Sequence, residues 1–194
     1  LYIVFDDVEM VVNDGAPWVL SLQGPQADTV LAKLGLPVPT NPGDHLQIED
    51  GIRVARKDRT GQGGVDLLIP EDALGATFEA LIAAGAIPVG QTAFDHARIL
   101  AGRARWPHDG SEKTLVHELR VNEEVCNFNK GCYLGQEVIN RIDVKGQVAK
   151  RITGLRFEED ALPPEGAEIW CADKLAGRIT SAIRSDGRAL ALGV

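Results

Sequence analysis

Apolar positions along the first part of the chain fall into short runs and helical stripes separated by glycine and proline. Trp18-Val19-Leu20-Ser21-Leu22 and Val65-Asp66-Leu67-Leu68-Ile69-Pro70 each predict a strand, as short apolar runs bounded by turn residues do. Gly51-Ile52-Arg53-Val54-Ala55-Arg56 alternates like a half-buried strand. Residues 1–12 also read as strand, with an acidic break at Asp6-Asp7. Gly24-Pro25 opens a predicted helix, with Pro25 suited to its first turn and Gly35 to its end. Residues 36–44 hold Pro37, Pro39, Pro42 and Gly43 and predict a loop. Residues 71–84 give the clearest helix. Leu74, Phe78, Leu81 and Ile82 form one apolar stripe, acidic residues occupy the first turn, and Gly85 ends it. Residues 91–101 predict another, with Phe94, Ala97 and Ile99 apolar.

After Lys150 the texture changes. Residues 152–157, 168–171, 175–181 and 188–194 read as short strands divided by Pro163-Pro164, Asp173 and Asp186-Gly187. That is an all-β pattern, the start of a small barrel. The expectation is an α+β region over 1–147, a sheet covered by helices on one side, then a partial C-terminal β-barrel over 148–194. Both ends read as strands already under way, which predicts a fragment of something longer.

The chain has 194 residues, 44% apolar, enough for one large or two small domains, and a net charge of -8. That charge argues against duplex nucleic acid as a direct partner. A local basic run, Arg141, Lys145, Lys150, Arg151 and Arg156 against Asp143, fits a solvated face as well as an anion site. No apolar run approaches the roughly 18 residues a spanning helix needs, so no membrane is expected. The odd, small set Cys126, Cys132 and Cys171 predicts a reducing compartment, the cytoplasm. Three cysteines cannot complete an all-cysteine cluster or zinc site alone, and the Cys126/Cys132 spacing is not a usual ligand pattern, so no metal site is expected.

The strongest chemical candidate is the octet Lys130-Gly131-Cys132-Tyr133-Leu134-Gly135-Gln136-Glu137. Leu134, Val138 and Ile142 recur at helical spacing and predict a helix behind the cysteine. A nearby ammonium, Lys130, and a helix N-terminus both favour a thiolate. Gly131 and Gly135 allow a tight turn around the thiol. A small buried cysteine ahead of an ordinary helix is the plain alternative. Elsewhere the signals are weaker. Gly61-Gln62-Gly63-Gly64 lacks the Lys-Ser/Thr of a phosphate loop and precedes a strand, so it predicts a hairpin turn. Arg56, Asp58 and Arg59 beside it form either a polar floor or a solvated strand end. Asp95 and Arg98, three apart on one helix face, either pair or aim at a ligand. Phe94 next to them is a core residue or a stacking ring. A thiol enzyme built on Cys132 would need a histidine placed by folding, with His96, His108 and His117 as candidates.

The octet, followed by Arg141 and Gly146-Gln147-Val148, resembles the signature of YgfZ-type folate-binding proteins, relatives of the aminomethyltransferase (T-protein) of the glycine cleavage system. Leu22-Gln23-Gly24-Pro25-Gln26-Ala27 looks like that family's first-domain helix entry. Residues 58–68 are similar to its Arg-Thr-Gly hairpin, and residues 95–102 to its helix ending in Ala-Gly. The resemblance spans roughly residues 20–190. It implies ferredoxin-like α+β lobes and a β-barrel around a channel for tetrahydrofolate or a one-carbon derivative. It also implies an accessory protein supporting iron–sulfur client enzymes, including those that modify transfer RNA, rather than an enzyme of known turnover. By the same resemblance Cys132 is the working thiol with Lys130 as its positive neighbour. Tyr133, Gln136 and Glu137 shape the loop or reach the channel, Phe94 lies near the pterin, and Arg98 faces the folate's carboxylates or carbonyl. The alternative is a folate-dependent aminomethyl- or methyltransferase. True transferases of the family carry Thr-Gly-Tyr-Thr-Gly-Glu in the hairpin, whose acidic residue helps hold the pterin. Here Gly63-Gly64 leaves no carboxylate until Asp66, which favours the accessory reading.

Overall fold

Val54, Val65, Leu67 and Ile69 are all fully buried, and they lie on one side of one sheet. This computed structural model describes residues 15, 17–48, 51–158 and 161–194. The strand expected over residues 1–12 lies outside the described residues. Four antiparallel strands, β1 (Trp18–Gln23), β2 (His45–Gln47), β3 (Arg53–Arg56) and β4 (Gly64–Ile69), order as β1-β4-β3-β2. Helices α1 (Ala27–Lys33) and α2 (Glu71–Ala83) cover the apolar side, contributing Val30, Leu31 and Leu81 to the core. Each such side chain contributes roughly 1.5–3 kcal/mol by leaving water.

Because strand side chains alternate, register decides which residues face away from that core. Leu20 opposes Leu67 and Leu22 opposes Val65, on the covered side. Ser21 opposes Asp66, and Asp66 in turn opposes Ala55, on the far side. Val19 and Ser21 on that far side are exposed, so among the described residues no helix packs over it. Strand β2 has no counterpart in the sequence reading. Its three residues are polar or exposed, so they carry no periodicity, and it exists through pairing with β3 at the sheet edge.

The predicted helix boundaries agree within a residue or two for α2 and for α3 (Gln91–Leu100). Their buried faces differ in detail. Phe78, assigned to the apolar stripe, is 40% exposed, whereas Arg98 on α3 is buried. The second sheet contains β5 (Thr153–Arg156), β6 (Glu168–Cys171), β7 (Lys174–Ser185) and β8 (Arg188–Gly193), ordered β5-β8-β7-β6. Asp186 and Gly187 both take positive φ, 50° and 71°, the arrangement a two-residue hairpin turn requires. That turn lets β7 run longer than the seven residues expected. The four strands form an open antiparallel sheet among the described residues. Ile183 and Leu192 from it join Ile99 of α3 and Ile152 in a second core.

Candidate functional site

The loop between β3 and β4 is built from its own side chains. The Asp58 carboxylate accepts hydrogen bonds from the Thr60 and Gly61 amides at 3.0 and 2.7 Å, the aspartate turn that folds a short polar loop on itself. Gly61 sits at φ 75° with its α-carbon against Ala101; an added Cβ would stand 2.5 Å from the Ala101 Cβ. The hairpin therefore docks on the turn that follows α3. Gln23, at the end of β1, braces the other side: its amide donates to the Lys57 carbonyl at 3.0 Å and to Ser21 Oγ, and its Oε1 accepts from the Arg59 amide at 2.8 Å.

Arg59 and Asp66 form the polar centre of this region. Asp66 is 7% exposed, and it accepts from Arg59 Nε and Nη2, the latter at 2.6 Å, and from Ser21 Oγ at 2.8 Å. Its hydrogen bond to Asp66 raises the Arg59 guanidinium above its ordinary range, with burial opposing and the Asp66 charge adding. Arg59 Nη1 has no partner among the described residues, and the side chain is 41% exposed. A buried carboxylate thus orients a charged guanidinium whose remaining donors face outward, a geometry suited to a carbonyl or carboxylate on a ligand. Of the polar-floor residues, Arg56 goes elsewhere: it forks onto Asp28 of α1 and donates to the Pro39 carbonyl.

Arg98 was expected to face a folate. The structure instead spends its donors inside the protein. Nε donates to Asp95 Oδ1 at 2.5 Å, Nη1 to Asp109 Oδ2 at 2.8 Å and to the Arg103 carbonyl, and Nη2 to Ser181 Oγ at 2.8 Å. At 2% exposure it presents no surface to a ligand. Phe94 is half-buried on the same helix. No hydrogen bond or ion pair joins either residue to the octet among the described residues.

Within the octet, Gly135 takes the left-handed conformation at φ 87° and helix α5 (Gln136–Lys145) begins only after it. The expected start at Leu134 is thus two residues early, because the turn that Gly135 permits delays the first helical residue. Leu134 is 99% exposed and Cys132 is exposed. Cys132 lies a full turn ahead of the helix, where the helix dipole has largely decayed. Lys130 Nζ sits 5.0 Å from the centre of the Tyr133 ring, a cation–π contact. Gln136 is half-buried at the first helical position and Glu137 is exposed in the first turn. The octet is thus a loop through Gly135 that runs into the first turn of α5, with Cys132 exposed, Tyr133 and Gln136 half-buried, and its lysine engaged by its own tyrosine. Of the histidines, His117 is buried 3.7 Å from Asp143 of α5. Burial, with the Asp143 charge assisting, pushes the Cys126 thiol up.

The chain is 29% identical over 187 residues to a chloroplastic protein of Arabidopsis thaliana carried as a candidate transferase, covering 93% of this chain and 42% of that protein. It is 26% identical over 183 residues to the aminomethyltransferase of Chlorobium phaeovibrioides, covering 88% and 48%. The crystal structure of the glycine cleavage system aminomethyltransferase T from Bartonella henselae matches with a TM-score of 0.73 at 24% identity, over 90% of this chain and 50% of that one. The chain is homologous to the aminomethyltransferases. It has the glycine cleavage T-protein fold over the matched part, and it spans about half the length of the curated relatives it matches. No family model matches it. No helix among the described residues is long and apolar enough to cross a membrane.

One further network ties the hairpin down. Lys57 donates to Glu124 Oε2 at 2.8 Å, Arg103 pairs with Glu124 Oε1, and Arg103 Nη2 reaches Asp58 at 3.5 Å. Glu124 belongs to the short helix α4 (Asn122–Val125), so one carboxylate joins the hairpin, the turn after α3 and the segment leading to the octet. Burial alone would raise the Glu124 carboxyl, but the hydrogen bonds and charges of Lys57 and Arg103 outweigh it and hold the group below the usual range. A depressed pKa in the folded state contributes stability above the unfolded value, about 4.3, that is lost as pH falls through the lower folded value. Glu124→Gln should therefore lower urea-unfolding stability by about 1 kcal/mol at neutral pH. Mutant and parent should converge once the pH has fallen below the folded-state value, where both side chains are neutral. A constant gap across that window would show that the loss is not electrostatic. Sequence reasoning gave neither this network nor the pairing of Ser21 with Asp66. The one available signal was a polar residue at the middle of each apolar strand, Ser21 and Asp66, whose mutual register no local pattern gives.

Proposed function

We propose that this chain is a tetrahydrofolate-binding module of the aminomethyltransferase type, with the Arg59–Asp66 pair as its polar anchor. The observation that carries the reading is the buried Asp66 carboxylate on the uncovered sheet face, held by Ser21 and turning Arg59 outward. The carboxylate that seemed absent from the hairpin is present one strand position further on. Homologous aminomethyltransferases use tetrahydrofolate, which supports the assignment of the ligand. The residues fit such a ligand chemically. Folate carries a carbonyl on its pterin and carboxylates on its tail, and a guanidinium with free donors pairs with either. When bound, the folate supplies the one-carbon carrier; Arg59 binds and orients it, and Asp66 keeps Arg59 in place. The C-terminal sheet is read as part of a barrel that closes one side of the channel, with the soft boundary near residue 148.

The test is tetrahydrofolate affinity of the protein by fluorescence titration. Arg59→Ala and Asp66→Asn should each weaken binding at least about tenfold, a loss near 1.4 kcal/mol, while both proteins stay folded. Unchanged affinity in Arg59→Ala would remove the hairpin from the site.

A second reading keeps the same ligand and makes the chain an accessory protein for iron–sulfur client enzymes, with Cys132 as the working thiol and Lys130, Tyr133, Gln136 and Glu137 as its loop. The exposure of Cys132 on a turn stiffened by the Lys130–Tyr133 contact favours it. Cys132→Ala separates the two. Under the accessory reading it abolishes support of a thiolating iron–sulfur enzyme in cells lacking the native copy and leaves folate affinity intact. Under the transferase reading it leaves formation of methylenetetrahydrofolate from an aminomethyl-lipoyl carrier intact, and Asp66→Asn abolishes it.

A further inference from the structure

A cavity of about 420 Å³ opens between the hairpin, the turn after α3 and the strap that precedes α4. Asp58 and Gly61 line it from the hairpin, residues 101–104 from the turn, and Leu119, Arg120 and Val121 from the strap. The volume lies within the range of small-molecule sites.

The charges around this space do not cancel evenly. Asp58 is occupied by the Thr60 and Gly61 amides and by Arg103. Glu124 is occupied by Lys57 and Arg103. Arg103 has both carboxylates. Arg120 remains, and its guanidinium has no hydrogen bond or ion pair among the described residues. Among the residues that line the cavity, Arg103 and Arg120 stand against the single carboxylate of Asp58, leaving one positive charge in excess on the wall of an acidic protein.

The backbone at Arg120 is itself unusual. It takes φ 59°, a left-handed conformation that costs a non-glycine residue about 1–2 kcal/mol. The strap enforces it: the Arg120 amide donates to the His117 carbonyl at 3.3 Å, and the Val121 amide to the Val116 carbonyl at 3.1 Å. Strained positions held by their surroundings cluster at ligand sites. Leu119, Val121, Ala101 and Ala104 meanwhile supply an apolar wall beside the charge.

We propose that this cavity binds a small organic anion, a carboxylate or phosphate head on Arg120 with a short apolar body against Leu119, Val121 and Ala104. The site is independent of the folate reading, since it uses neither Arg59 nor Asp66.

The experiment is an amide chemical-shift titration of the protein at constant ionic strength with three probes: hexanoate, hexyl phosphate and inorganic phosphate. Hexanoate or hexyl phosphate should shift Gly61, Gly102 and Val121, and the tighter of the two names the head group. Inorganic phosphate, which has the head and no body, should bind more weakly than either. Arg120→Gln should weaken the better probe at least tenfold. Arg120→Gly, which suits the left-handed backbone, should remain folded and lose binding as fully. The proposal fails if Arg120→Gln or Arg120→Gly binds as well as the parent. It fails equally if the shifts fall elsewhere or if inorganic phosphate matches the organic probes.

Discussion

Replacing Arg98 by methionine should cost about 3–5 kcal/mol of folding stability, the range seen when one partner of a buried ion pair is removed. Asp109 has a fully buried side chain, and Arg98 is the cation that neutralises it. Without the guanidinium, the carboxylate keeps hydrogen bonds from Thr180 Oγ1, Ser181 Oγ and the Arg105 amide, but its charge is uncompensated in a low-dielectric site. For a chain of this size the loss corresponds to a fall in Tm of about 6–20 °C. Arg98→Lys should recover only part of it, because one ammonium cannot span Asp95, Asp109, Ser181 and the Arg103 carbonyl together. The double variant Arg98→Met with Asp109→Leu should regain much of the loss, since two apolar side chains leave no buried charge. Urea unfolding of the three proteins decides the matter. A single Arg98→Met variant within 1 kcal/mol of the parent would mean that the network carries little of the attachment of α3 to β7.

Gly61→Ala should be the next most damaging small change, at about 2–4 kcal/mol. Two penalties combine. The residue must hold a positive φ that costs an L-residue about 1–2 kcal/mol. Its methyl must also displace Ala101, a short side chain on a helix end that cannot swing aside, and overpacking of that kind costs about 1–3 kcal/mol. Adding Ala101→Gly to Gly61→Ala separates the two, because it removes the collision and leaves the backbone penalty. Hydrogen exchange of residues 57–64 should rise in Gly61→Ala and fall back toward the parent in the pair. No change in either stability or exchange would refute docking of the hairpin on Ala101. Because Arg59 stands on this hairpin, the single variant should also weaken folate binding without touching a ligand-facing group.

How much of this could be read beforehand depends on the range over which each feature is determined. The octet turn was legible because its geometry is local: Gly135 permits the left-handed step, and α5 follows. The Asp95–Arg98 pair was legible as one of two options because the residues lie three apart on one helix. The choice between them was not, because the competing acceptors, Asp109 and Ser181, are 11 and 83 residues away. The structure spends Arg98 on pairing inside the protein for that reason. Its partners arrive only when β7 packs beneath α3. Asp66 was noticed as the first carboxylate after the glycines and passed over, since Ser21 is 45 residues away and becomes its partner only through the β1–β4 register.

By itself, the sequence determined the longer strands and helices, the turn at the octet and the likeness to aminomethyltransferases, because periodicity, turn residues and short motifs act over a few neighbouring positions; the short β2 and α4 carry no such pattern. Only the tertiary structure decided which charged groups are consumed and which stay available. Arg98 has every nitrogen of its guanidinium engaged and Arg103 holds two carboxylates, whereas Arg59 and Arg120 keep donors without a partner among the described residues, although sequence alone shows four arginines of the same chemistry. The difference comes from partners brought in across the chain by sheet register and helix docking, and burial then fixes whether a charge holds the fold together or faces a ligand.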